Sequence, residues 1–581
     1  MTKPCRRFFW LIFFFGAFIR SINIWQGLDG NIRESWREAD IASIARNYCQ
    51  EGMDLCYPRI DWRGDGPGYV EMEFPALPYV MALFYRQWGI HEIIGKILSF
   101  CFSLAAFYFF ILFSFHLLPE RGALVASMFF ALNPLTGQTA NTLQPESFML
   151  MFYIMAAYFF IKWMKESTLS SYCLAIFSTA SVILAKASAM HIGMFFLFVI
   201  LLEKGRLFIR GKENWVFGFL ALLPGMAWYQ HAHGLWLRFG NSLGISNESH
   251  WVGWDFFVNP YFIKGILRNE ILYVWMGSGL IVVLLGLLLS KLNPVNKLCL
   301  LWLTAISIYY FLAARTTADG WAFYYHLVSV PPAALLFGNS VDTFLQQRPK
   351  IRMNPLLILC GFGAAFTVGL GFARPLEEVG SFYTLLLIYL PGMIPLLFYQ
   401  SSSLRLEEPT YRFERWWMKY LFPIVLYLIV TTFMTMSVRI AKNIHSNEYD
   451  RLQTLYTFAK ESEKKIPPKS LIICSGGPCT DRDGYPVAYN ASYMFYWLNR
   501  KGFSVCAEEQ NIDVVQTLIE HGACFYLVEK SSIEQRPQLK NELEEHYQLL
   551  DECSEAYLFS LQASSRTFSQ TIRASDEFLL R

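Results

Sequence analysis

Apolar residues run along this chain in long, nearly unbroken stretches rather than at the spacing of a soluble strand or an amphipathic helix. Thirteen stretches approach the length that crosses about 30 Å of hydrocarbon. They lie near 8–25, 94–118, 122–138, 146–163, 170–187, 189–203, 214–231, 271–290, 297–314, 323–341, 354–373, 382–400 and 417–437. This pattern predicts an all-α polytopic membrane domain over 1–437 with about thirteen transmembrane helices. The stretch 74–89 is apolar too, but it is short and holds Pro75, Pro78 and Arg86, so it reads as an interfacial or re-entrant helix. Beyond 437 the pattern turns polar, with runs such as Glu461-Ser462-Glu463-Lys464-Lys465. Helical periodicity over 490–501 and 513–521 alternates with short β-rich runs at 471–474 and 523–529. That alternation predicts a soluble α/β domain over 438–581.

Composition sharpens the picture. Hydrophobic residues make up 54% of the 581 and charged residues only 16%, where a soluble chain carries about 25% charge. An ordinary soluble protein or a nucleic-acid binder is thereby excluded. The basic residues set the orientation. With Lys3, Arg6 and Arg7 in the cytoplasm, the even-numbered connections fall there too. These carry, among others, Lys204, Arg206, Arg210 and Lys212, and later Arg348, Lys350 and Arg352. The short opposite loops are poor in Lys and Arg, as the positive-inside rule requires. No small-residue cleavage site follows the first apolar run, so it reads as an uncleaved span. An odd number of spans puts the tail outside, with a first loop over about 26–93 and a middle loop over about 232–270.

Cysteine use fits an external tail. Cys101, Cys173, Cys299 and Cys360 lie in spans and read as packing residues. Cys49 with Cys56, and Cys474 with Cys479, are local pairs that an oxidising compartment could close or that could stay free thiols.

Ionisable groups beside a bilayer are costly, so each is a candidate for function. The first loop reads Arg37-Glu38-Ala39-Asp40, then helical from Ala39 onward. Asp40 falls at that helix start, where a capping acid is the ordinary explanation. Glu73 lies directly before the proline-marked helix and has the same ordinary explanation. Two such acids in one external loop weigh more than either alone. Gln144 and Glu146 share a very short external loop, and Pro145 fits the first turn that follows. Lys186 ends the fifth span on the external side, against the charge bias. It either snorkels or meets an anionic head group such as a phosphate. In Trp321-Ala322-Phe323-Tyr324-Tyr325-His326, the tyrosines suit an aromatic belt, whereas His326 lies inside the apolar run. No P-loop, dinucleotide fingerprint, HExxH or nucleophile elbow is present.

Taken in order, these landmarks resemble glycosyltransferase family 39, which includes protein O-mannosyltransferases and the bacterial aminoarabinose transferases that act on lipid A. The matching parts are Arg20, Arg37-Glu38-Ala39-Asp40 with Ala45-Arg46, Glu73-Phe74-Pro75, Asn133-Pro134, Gln144-Pro145-Glu146, Leu184-Ala185-Lys186, and Tyr324-Tyr325-His326 with Pro331-Pro332. The resemblance implies a GT-C fold and inverting transfer from a polyprenyl-phosphate sugar to a lipid, glycan or protein acceptor at the external face. It implies catalytic roles for Asp40, as base on the acceptor hydroxyl, and for Glu73. Lys186, His326, Tyr325 and Arg46 would face the donor phosphate, with Gln144 and Glu146 lining the cavity. There are departures. Phe74 stands where the aminoarabinose transferases carry a lysine, and Glu146 stands where relatives often carry aspartate. The acids leave room for a divalent metal, though no ligand set identifies one, and no other cofactor is expected. The expected setting is a bacterial inner membrane, with the N-terminus cytoplasmic and the tail periplasmic. The rival reading is a transporter or flippase of lipid-linked sugars. Such proteins often carry inverted repeats and helices broken at mid-membrane, and this sequence shows no internal repeat.

Overall fold

The computed structural model of the chain describes residues 3–22, 24–25, 35–205, 210–244, 254–276, 278–289, 293–319, 321–346, 447–480, 484–487, 489–534 and 536–562. Its first part is helical. It comprises α1 (Lys3–Ser21), α2 (Ser35–Glu51), α3 (Ala76–Trp88), α4 (Glu92–Leu117), α5 (Glu120–Leu132), α6 (Pro134–Thr139), α7 (Glu146–Glu166), α8 (Leu169–Ala185), α9 (Ile192–Lys204), α10 (Lys212–Phe239), α11 (Pro260–Asn269), α12 (Ser278–Leu289), α13 (Pro294–Leu312), α14 (Ala314–Thr317) and α15 (Val330–Gln346). Each of the first ten expected spans coincides with a helix or with two consecutive helical segments. Among the described residues, four segments are long and apolar enough to cross a membrane: Glu92–Leu117, Glu146–Glu166, Ala187–Lys204 and Pro294–Leu312. The spans expected at 354–373, 382–400 and 417–437 lie outside the described residues.

Several expected spans are split, and proline chemistry explains the breaks in the third and the tenth. Proline lacks an N–H and pushes the residue before it out of the helical region. Asn133 is therefore extended between α5 and α6, and its side chain caps α6 by accepting from the Leu135 N–H at 3.0 Å. The tenth span divides into a 3-10 segment, Trp321–Ser329, and α15, which carries Pro331 and Pro332 in its first turn.

Close packing in the bundle rests on small residues. A Cβ on Gly338 of α15 would run into the Gly122 carbonyl oxygen of α5, so these two helices cross backbone to backbone. Arg20 is the other tie. It is fully buried and donates to Ser103 Oγ at 3.1 Å, Thr136 Oγ1 at 2.8 Å and the carbonyls of Gly16, Phe130 and Ala131. Its guanidinium also lies 4.8 Å from the Phe107 ring centre. One side chain thus joins α1, α4, α5 and α6 through neutral acceptors. It replaces water around a buried cation without a carboxylate partner.

The tail comprises α16 (Asn447–Glu463), β1 (Leu471–Ser475), α17 (Ser492–Leu498), β2 (Lys501–Val505), α18 (Ile512–Glu520), β3 (Ala523–Glu529), α19 (Lys530–Ile533), α20 (Pro537–His546), β4 (Gln548–Glu552) and β5 (Ala556–Ser560). The strands form one sheet in the order β2-β1-β3-β5-β4. β1 is parallel to both its neighbours, and β5 is antiparallel to both of its own. The expected helix over 490–501 stops at Leu498. Asn499 takes a left-handed conformation there, and the chain enters β2 at Lys501.

The strands alternate as a sheet buried on both faces must. Ile472, Cys474, Phe525, Leu527 and Leu558 share a core with Ile41, Ile44, Tyr48 and Met81 of the first loop. Ile473, Tyr526, Val528 and Phe559 pack the other face against α18 and α20. The tail is therefore seated on the first loop, with a continuous apolar core between them.

The expected cysteine pairs are not the ones formed. Cys479 is bonded to Cys506, while Cys49, Cys56 and Cys474 are free. Cys474 points into the core from β1, out of reach of a surface partner. Cys49 packs against the loop core while Cys56 faces outward. Proximity in sequence was a poor guide because the sheet brings the end of β2 beside the segment that follows β1.

Candidate active site

Helix α2 begins at Ser35, one turn earlier than the sequence pattern indicates. Glu38, not Asp40, is then its first-turn acid, and Asp40 projects from the second turn as a buried carboxylate. Capping does not explain a carboxylate at that position. Its Oδ1 accepts from the Trp62 indole N–H at 2.8 Å. Burial pushes the Asp40 carboxyl up to about 7, against the pull of Arg37 and the Trp62 hydrogen bond.

Arg37 lies one turn before Asp40 on α2. Its Nη2 lies 2.6 Å from both carboxylate oxygens of Glu73, and its Nη1 donates to the Leu243 carbonyl at 3.4 Å. Glu73 sits directly before α3, as the sequence indicates. Burial works against the Arg37 charge, but the carboxylates of Glu73 and Asp40 outweigh it and hold the guanidinium proton more firmly than usual. Glu38 points to the opposite side, where its Oε1 accepts from the Leu143 N–H at 2.7 Å. Burial raises its carboxyl, opposed by Lys96.

A second ion pair adjoins the first. Lys186 follows the last residue of α8 in an extended conformation that aims its side chain inward. Its Nζ lies 2.5 Å from Glu146 Oε1, 4.3 Å from the Tyr325 ring centre and 5.0 Å from that of Tyr324. Glu146 opens α7 behind Pro145, and its Oε2 is buried without a hydrogen-bond partner. Glu146 and Arg37 lie within electrostatic reach of each other, as do Glu73 and Lys186. Asp40, Glu73, Glu146, Lys186 and Tyr325 thus converge with Arg37 on one cluster. Gln144 is buried in the turn before α7. Phe74, in the position of the family's lysine, places its ring edge-to-face with Trp228 of α10 at 5.1 Å.

Two expected phosphate-facing residues bond elsewhere. His326 is fully buried, with Nδ1 2.8 Å from Glu270 Oε1 and Nε2 2.9 Å from the Thr317 carbonyl. Both ring nitrogens are engaged by acceptors within the bundle. Glu270 opens a short π-helical turn, Glu270–Val274. Arg46 pairs with Asp61, donates to the Tyr496 carbonyl at 3.2 Å and lies 4.9 Å from the Tyr496 ring centre. It joins the first loop to the tail.

Trp62 and the partnership of Arg37 with Glu73 were not read from the sequence as site features. An Arg shortly before a Glu and an Asp was visible, but its partner lies 36 residues away. Among the described residues, one group of potential metal ligands converges, Cys479 with Cys506 and Glu508, and its two sulfurs form the disulfide.

Residues 72–229 match the family model described as dolichyl-phosphate-mannose-protein mannosyltransferase. No curated protein matches the chain by sequence. Among solved structures, the chain is similar to ArnT from Cupriavidus metallidurans in the apo state, with 11% identity over 90% of this chain and 93% of that one and a TM-score of 0.55. The same enzyme bound to undecaprenyl phosphate aligns with 12% identity over 91% and 94% of the two chains and a TM-score of 0.52. The oligosaccharyltransferase AglB from Archaeoglobus fulgidus, in complex with an inhibitory peptide and a dolichol-phosphate, aligns with 10% identity over 92% of this chain and 70% of that one, with a TM-score of 0.52. The chain has the GT-C fold of these glycosyltransferases, and the family resemblance read from its motifs holds.

Proposed function

We propose that this protein is an inverting glycosyltransferase that moves a sugar from a polyprenyl-phosphate donor to a lipid, glycan or protein acceptor at the external face of the membrane. The observation that carries this reading is Asp40, a buried carboxylate poised at about 7 beside a cluster of two cations and two further carboxylates. A general base works best with a pKa near the working pH.

In the proposed reaction the acceptor hydroxyl oxygen attacks the anomeric carbon. The bond from that carbon to the lipid phosphate oxygen breaks, and the phosphate leaves with the electron pair. The hydroxyl proton passes to Asp40. Lys186 lies over the rings of Tyr324 and Tyr325 and meets the charge that grows on the leaving phosphate. Arg37 clamps Glu73 and fixes that carboxylate at the mouth of α3. The proposed setting is a bacterial inner membrane with a periplasmic tail. The Cys479–Cys506 bond suits an oxidising compartment.

The test incubates purified protein in liposomes with a panel of polyprenyl-phosphate sugars and candidate acceptors, beside Asp40→Asn, and measures free polyprenyl phosphate. Release by wild type and a loss of about a thousandfold or more in the variant are expected. Full activity in Asp40→Asn would sink the assignment. Movement of lipid-linked sugar across the bilayer without release would favour the flippase.

A further inference from the structure

We propose that the tail domain acts as a clamp on the reactive carboxylate: edge strand β2 holds a first-loop strap, residues 59–64, and the strap delivers Trp62 as a positioning residue for Asp40. The proposal rests on the role of Asp40 given above.

The outer edge of β2 would otherwise present unpaired backbone groups, which proteins usually cover. Here the strap covers it. Gly502 N–H donates to the Asp61 carbonyl at 3.1 Å, and Gly64 N–H donates back to the Gly502 carbonyl at 2.7 Å. The Phe503 ring lies against Gly64, in the space a Cβ would need. From the other side, Asn47 of α2 donates to Asp61 Oδ1 at 2.9 Å and to the Arg59 carbonyl at 2.9 Å. Arg46 pairs with Asp61 and bonds to Tyr496 of α17. The strap is thus held between α2 and the tail, and its next side chain, Trp62, reaches Asp40.

That one contact matters because of what else faces Asp40. Arg37 from the same helix is bound by Glu73, and Asp61 and Glu73 both add like charge. The indole N–H is the neutral donor that fixes which way the Asp40 carboxylate points. A hydrogen bond to the charged form favours that form, so losing it raises the Asp40 carboxyl further and shifts the acid limb of activity to higher pH.

Three variants of the full-length protein in nanodiscs test this: Trp62→Phe, Phe503→Ala and Asp40→Asn. The first readout is the Trp62 indole ¹H–¹⁵N resonance, assigned by its loss in Trp62→Phe. It should titrate near neutral pH in wild type and stay fixed in Asp40→Asn. It should shift or broaden in Phe503→Ala, which removes the ring lying against Gly64 and leaves Trp62 and Asp40 themselves unchanged. The second readout is transfer. Trp62→Phe should lose about fivefold in kcat near pH 7, the drop in ionised Asp40 when the acid becomes tenfold weaker, and recover most of it near pH 9 with the donor KM unchanged. An indole resonance that ignores Asp40 overturns the positioning role, and one unmoved by Phe503→Ala overturns the clamp. A uniform loss at every pH means packing alone and also overturns it. If wild type releases no lipid phosphate from any donor, the enzymatic reading fails, and the titration by itself still decides whether Trp62 and the tail govern Asp40.

Discussion

At the scale of single residues, the site spends stability to hold Asp40 ready. Its carboxyl is raised from the ordinary value to about 7 by burial. A carboxyl raised in the folded state favours folding below its unfolded pKa, and that advantage is lost as pH rises through the folded value. Above neutrality the ionised Asp40 therefore weighs against the fold by on the order of 4 kcal/mol, since a tenfold change in acidity corresponds to about 1.4 kcal/mol. Asp40→Asn removes that charge. The variant is expected to melt higher than wild type near pH 8, by a smaller margin near pH 5 and with little difference near pH 3, below the unfolded value, while losing transfer. A lower melting temperature at pH 8 would mean that Asp40 is held by more than burial and one indole. Lys186 makes the complementary case. Glu146 has one buried oxygen with no partner and the other on Lys186. Lys186→Met would leave a carboxylate buried and uncompensated, costing about 3 kcal/mol or more in stability. The double variant Lys186→Met with Glu146→Gln should regain most of that stability, measured by thermal melting, but not donor affinity.

At the scale of elements, backbone contacts set what can be changed. A Cβ on Gly502 would meet the carbonyl oxygen of Ile472 in β1, and backbone cannot step aside as a flexible side chain would. Gly502→Ala is expected to destabilise the tail by about 1–3 kcal/mol, seen as a lower melting transition and faster hydrogen exchange in β1 and β2. The features legible in the sequence were those set by local chemistry. Long apolar runs gave α4, α7 and α13, whereas the breaks at Pro134 and Pro331 fall inside stretches that read as single spans. The short β-rich run Ala523–Glu529 gave β3, and Glu73 before Pro75 gave the acid at the mouth of α3. Features set by distant contacts were not legible. The start of α2 at Ser35 turned Asp40 from a cap into a buried carboxylate. Trp62 reaches it from 22 residues away, and Cys506 reaches Cys479 across the sheet. His326 looked like a free polar group because its partners Glu270 and Thr317 are not its neighbours in the sequence pattern.

At the scale of the whole molecule, the first loop and the tail form one body whose core is shared, beside a helical bundle. The side of the membrane on which that body lies decides which donors can reach Asp40. On the proposed orientation, read from the basic residues of the even-numbered connections, the first loop lies outside, where sugar nucleotides do not reach and a site must take a lipid-linked sugar. Cys56 offers a direct reading of that side, because it is exposed in the loop that follows α2, five residues beyond Glu51 at the helix end. In a variant that keeps Cys56 as its one free thiol and retains Cys479 and Cys506, a membrane-impermeant maleimide should label Cys56 in intact cells whose outer barrier has been opened. A mass measurement without reductant should recover the peptides of Cys479 and Cys506 joined. Labelling of Cys56 that appears only after the inner membrane is breached would place the loop, the tail and Asp40 in the cytoplasm. The reason for a lipid-linked donor would then be gone, and the same fold would have to be tested with nucleotide sugars instead.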